Sequence, residues 1–124
     1  MKRRLALAAL VAIVSGGTAL AHHGWSWTED GFFRLTGTIT GISYGNPHPT
    51  LDVDAEGEAW RIELAPPAAT ARAGFLADTA KVGDEVTAIG NRSQNANEKR
   101  MKAVRILVGG KTYDVYPSRV PASD

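Results

Sequence analysis

The three histidines of this chain fall in two places, His22-His23 and His48. Imidazole nitrogen suits copper, zinc and nickel. His48 stands between two prolines in Asn46-Pro47-His48-Pro49, a stiff turn that presets where a side chain points. A preset ligand loses less entropy on binding. His22-His23 directly follow Ala19-Leu20-Ala21, whose small residues suit the −3 and −1 positions of a signal-peptidase site. Cleavage after Ala21 makes His22 the first residue of the mature chain. Its α-amine and imidazole Nδ1 then close a chelate ring on one metal ion. An opposing nitrogen from His48 gives a planar, nitrogen-rich set, which favours Cu(II) among the divalent ions. His23 leaves the backbone in another direction, so it either completes the set or faces solvent. Trp25 and Tyr44 are expected around the site, limiting water and fixing ring orientation. The amine must lose its proton to bind, and free α-amines titrate at about 7.7–8.0, so binding weakens as pH falls.

A plainer reading stands beside this one. His22-His23 can be a polar stub, and the proline turn can serve only to set backbone angles. The protein is then a non-catalytic envelope interaction or structural domain, binding a periplasmic protein or a glycan. Thermal melting with and without Cu(II) separates the two, because a ligand bound only by the native state raises stability by mass action.

Other chemistry has less support. There are no cysteines, so a disulfide framework, a covalent haem or a thiolate metal site is excluded. No Gly-x-Ser-x-Gly, Walker or dinucleotide-binding glycine pattern occurs. Asp52, Asp54, Glu56 and Glu58 alternate without the spacing of a calcium loop and read as the solvated face and turn of a hairpin. No catalytic set is evident, and the chain reads as a binding module rather than an enzyme.

The segment ahead of the histidines is a signal peptide in form. Met1-Lys2-Arg3-Arg4 is basic and Leu5 to Val14 is apolar. That run is shorter than the roughly 20 residues a membrane span needs, so residues 1–21 read as cleaved and leave no stable membrane anchor. About 100 residues remain, enough for one small domain. Lys2, Arg3 and Arg4 leave with the signal, so the balance moves from 14 basic against 13 acidic residues to 11 against 13. A mildly acidic exported chain is a poor partner for nucleic acid. A periplasmic location is expected.

Residues 22–34 form an aromatic and histidine-bearing arm, with Trp25, Trp27, Phe32 and Phe33. So many large rings predict an arm packed on the domain rather than floating. Residues 35–116 form the domain and residues 117–124 a flexible tail. Leu35 to Tyr44 alternates as a Gly-bent strand, Thr50 to Asp54 and Ala59 to Leu64 as a hairpin. Pro66-Pro67 opens a short Ala-rich helix stopped at Gly74. Val86 to Gly90 and Met101 to Val108 read as two further strands, joined by an exposed polar loop at residues 91–100. Thr112 to Tyr116 reads as a short extra strand. Five strands with one short helix between the third and fourth predict a mainly all-β, OB-like barrel, with a β-sandwich as the alternative.

The chain resembles the DUF6152 family of small exported bacterial proteins of unknown function. The resemblance lies in Ala21-His22-His23, Leu35-Thr36-Gly37-Thr38-Ile39-Thr40, Asn46-Pro47-His48, Trp60-Arg61-Ile62-Glu63-Leu64, the Pro66–Gly74 stretch and Val82-Gly83-Asp84-Glu85-Val86. Tyr44-Gly45 stands where the family pattern has a tryptophan-containing step, and Pro49 follows the histidine. The resemblance implies a periplasmic OB-like domain and no established activity.

Overall fold

The computed structural model describes residues 24–122. Residues 1–23, with the expected signal segment, His22 and His23, lie outside the described residues. Six strands follow one another: β1 (Phe33–Ser43), β2 (Thr50–Ala55), β3 (Glu58–Glu63), β4 (Glu85–Arg92), β5 (Arg100–Val108) and β6 (Lys111–Asp114). One helix, α1 (Pro67–Arg72), separates β3 from β4. The sheet runs β3-β2-β1-β4-β5-β6. A parallel pairing of β3 with β5 closes it, with Arg61 opposite Arg100, Ile62 opposite Met101 and Glu63 opposite Lys102. The result is the closed five-strand barrel expected from the sequence, with β6 added at the edge of β5. Closure removes the open edges a sheet this small would otherwise expose. No helix of the described residues is long and apolar enough to cross a membrane.

The alternating strands send one face inward. Leu51, Val53, Ile62 and Met101 are fully enclosed, with Ile39 from β1 and Ile106 from β5. β1 is long enough to serve two neighbours because it bends. Its pairing with β2 shifts between Ile39 and Gly41. Gly37 lies where β2 crosses closely: a Cβ there would stand 2.5 Å from the Asp54 carbonyl oxygen. The helix packs Ala69 and its C-cap Ala73 against the core. Pro67 suits its first turn, the buried Thr70 hydroxyl donates to the Ala65 carbonyl at 2.7 Å, and Gly74 ends it at φ +96°. Phe75 follows into the core, edge-on to Tyr113 with ring centroids 5.5 Å apart.

β5 departs from simple alternation, with Met101 to Val104 all buried in sequence. Pairing with β4 passes from Ile89–Arg105 to Gly90–Ala103, so Val104 is the extra residue of a bulge. A Cβ on Gly90 would run into the Lys102 carbonyl, which is why glycine stands there. The outer face of β5 is covered as well. Gly24, Trp25 and Trp27 lie against Lys102 and Arg100, and Pro117–Arg119 forms a 3-10 turn, with the Tyr116 amide donating to Val104 at 3.2 Å.

Amide side chains staple the N-terminal arm. Asn91 Nδ2 donates to the carbonyls of Glu29, Asp30 and Gly31 at 3.0–3.2 Å. Gln94 Nε2 reaches those of Ser26 and Thr28 at 3.0 and 2.9 Å. Thr28 and Ser93 form a β-bridge, and both are buried. The segment read from sequence as an exposed loop at residues 91–100 therefore opens as the end of β4 and the seat of the arm. The last two arm residues, Phe33 and Arg34, belong to β1.

Candidate functional site

The β1–β2 loop brings His48 to the closing seam. The Asn46–Pro47 bond is cis. The Leu64 amide donates to the Pro49 carbonyl at 2.9 Å, which pins the turn to the end of β3. Although it sits in a loop, the His48 side chain is only 12% exposed. Its Nε2 stands 3.3 Å from Oε1 of Glu63, a side chain only 8% exposed. Glu63 Oε2 accepts from Arg100 Nε at 2.6 Å. Arg100 also contacts Glu98 at 3.4 Å, and Ser93 Oγ holds the other Glu98 oxygen at 2.7 Å. A loop from each end of the barrel wall thus converges on Glu63.

The arm completes this cluster. The Arg100 guanidinium lies over the Trp27 ring, 3.7 Å from its centroid. Lys102, opposite Glu63 across the seam, is 1% exposed. Its Nζ donates to the Gly24 carbonyl at 3.2 Å and faces the rings of Trp25 at 4.9 Å and Tyr116 at 5.8 Å. Arg119 covers Trp25 at 4.0 Å, and Trp25 meets Tyr116 edge-on. Burial is the main force holding the Lys102 ammonium below its ordinary value of 10.5; Arg100 and Arg119 push the same way and Glu63 opposes them. Burial likewise raises the Tyr116 hydroxyl above 10.0.

Of the residues singled out in the sequence, His48 enters this cluster and Trp25 flanks it through Lys102. Tyr44 turns elsewhere, donating to the Phe75 carbonyl at 2.6 Å. Among the described residues no three His, Asp or Glu side chains converge as a metal cage. The pair His48–Glu63 is what they supply. Glu63, Arg100 and Lys102 were not singled out. In sequence Glu63 and Lys102 alternate outward from apolar neighbours and look like solvated strand positions. Only the arm and the proline loop, folded over that face, bury them.

The acidic alternation behaves as a hairpin surface. Asp52 pairs with Arg61 at 2.7 Å, and Asp54 Oδ1 accepts from the Gly57 amide in the β2–β3 turn. A second groove, floored by Phe33 and Trp60 and rimmed by Arg34, Glu56 and Glu58, opens beside that hairpin. Trp60 is not a stacking platform there. Phe33 stacks on it with centroids 5.2 Å apart, the Arg92 guanidinium lies 5.0 Å from its centroid, and the residue is 6% exposed.

Residues 9–102 match the DUF6152 family of unknown function, and the chain belongs to that family. No curated protein matches it. Among the solved structures that resemble it are two OB-like neighbours of low identity. In the S. pombe Stn1-ten1 complex a chain of 18% identity superposes with a TM-score of 0.51, covering 62% of this chain and 57% of that one. The ZRD-deleted mutant of TiaS in complex with agmatine gives 17% identity and a TM-score of 0.51, covering 73% of this chain and 27% of that one. The chain thus spans little more than half of the first and about a quarter of the second. Identities this low speak for a shared barrel and nothing further.

Proposed function

We propose that this member of the DUF6152 family is an exported, periplasmic binding module that holds a metal ion, Cu(II), at the closing seam of its barrel. The α-amine and Nδ1 of His22, freed by cleavage after Ala21, chelate the ion, and His48 supplies the opposing nitrogen. His23 completes the set or is left to solvent. One observation carries the reading: Lys102 Nζ holds the Gly24 carbonyl at 3.2 Å, across the seam from Glu63, which faces His48. The His22 amine and the tethered Gly24 carbonyl bracket three residues, at most about 10 Å of chain, so the mature terminus has a short radius in which to meet this cluster. The stapling of residues 26–31 by Asn91 and Gln94 adds to it, because a fixed arm has already lost the entropy that chelation would otherwise cost.

The test uses the mature protein beginning at His22, titrated with Cu(II). Replacing His48 by Ala should weaken binding more than tenfold, about 1.4 kcal/mol. Parent-like affinity in that variant would remove His48 from the site. A parent that binds no tighter than micromolar, with no metal-dependent rise in melting temperature, would favour a non-catalytic interaction domain instead.

A further inference from the structure

We infer that Glu63 is itself a metal ligand, so that His48 Nε2 and Glu63 Oε1 form a two-donor half-site for a divalent cation. The inference rests on the metal reading above and adds to it a residue and a donor atom.

The spacing fits. Donors held about 2.05 Å from one ion lie about 2.9 Å apart at the roughly 90° of a planar Cu(II) site and, at the tetrahedral angle Zn(II) prefers, about 3.3 Å apart. That is the distance between His48 Nε2 and Glu63 Oε1. The chemistry of Oε1 fits too. It is buried and accepts no hydrogen bond among the described residues, while Oε2 of the same carboxylate is engaged by Arg100. A buried carboxylate oxygen left without a donor is costly, and such an atom calls for a partner. A cation between Oε1 and the imidazole supplies it. Arg100 then acts as the outer partner that fixes the plane of a ligating carboxylate, and its guanidinium is in turn held against Trp27.

Charge argues the same way. Arg100, Lys102 and Arg119 surround the seam, and neutral nitrogen donors bring no charge against them. Glu63 supplies a negative charge directly beside His48. As a donor it lets a divalent ion enter a cationic neighbourhood. As a bystander it would keep Oε2 on Arg100 and leave Oε1 facing only His48.

The experiment uses the mature protein starting at His22, with Cu(II) and Zn(II) as probes. Glu63→Gln preserves size and can still accept from Arg100, but its amide is a poor metal donor. Cu(II) affinity should fall at least tenfold, and the electron paramagnetic resonance parameters should move as an oxygen donor is lost. The metal-free melting temperature of E63Q reports whether the barrel survives. The unmodified protein provides a second arm. On adding Zn(II), the ¹⁵N signal of His48 Nε2 and the ¹³C signal of the Glu63 carboxyl should both shift. Parent-like affinity and an unchanged resonance spectrum in E63Q, or Zn(II) binding that leaves both signals in place, would overturn the inference and leave the metal reading standing. If the parent binds neither ion more tightly than micromolar, the metal reading itself fails.

Discussion

Two arginine–carboxylate pairs lie side by side on the seam that closes the barrel. Arg61 meets Asp52 at 2.7 Å and Arg100 meets Glu63 at 2.6 Å, and the two arginines are direct partners across β3 and β5. Their geometry is nearly the same and their surroundings are not. The first pair is about half exposed on both sides. In the second, Glu63 is 8% exposed and Arg100 is capped by Trp27. In high dielectric an ion pair gains little, whereas a buried charge deprived of its partner is expensive. The comparison teaches that the arm makes the difference. It turns one of two equivalent surface pairs into an enclosed cluster, and the β1–β2 loop places His48 beside that cluster.

Breaking the enclosed pair should have the largest effect. Glu63→Ala leaves Arg100 and Lys102 without their shared carboxylate, and chemical denaturation should report a loss of about 3 kcal/mol. A loss below about 1 kcal/mol would mean the cluster is effectively solvated.

Lys102 sharpens the contrast through pH. Its folded pKa lies below 10.5, so the unfolded chain holds more protons between that lowered value and 10.5. This group's contribution to stability therefore rises with pH across that window. Tyr116 acts in the opposite sense: its raised folded pKa makes its contribution fall as pH climbs past 10.0. Lys102→Met should abolish the alkaline rise and keep the fall. Denaturation midpoints measured across that range decide the matter, and a rise that persists in the variant would clear Lys102 of the role.

The smallest effect is expected at the open pair. Asp52→Ala should change stability by no more than about 0.5–1 kcal/mol, an effect that salt should shrink further. A cost comparable to that of Glu63→Ala would erase the distinction between the two pairs.

The barrel was legible because its signals are local. Alternation in residues 50–64, the paired prolines before α1 and the glycines of β1 each act over a few residues. The bulge at Val104 was not, since it depends on which β4 residue stands opposite. The site was legible only in part. His48 stood out by its type and its prolines. Glu63 and Lys102 did not, because an outward charge on a strand looks the same whether water or another segment covers it. Asn91 and Gln94 read as loop polarity, although their amides hold the arm. Long-range cover of this kind leaves no periodic trace.

The claim at the centre of this account is that the mature N-terminus is a metal donor held beside His48. It is tested most directly by acetylating the α-amine of His22 and measuring Cu(II) affinity against the unmodified protein that begins at His22. Acetylation turns the chelating amine into an amide, adds no new amine and leaves every barrel contact in place. Binding should weaken more than tenfold, about 1.4 kcal/mol, with the metal-free melting temperature unchanged. Equal affinity in the two proteins would contradict the account.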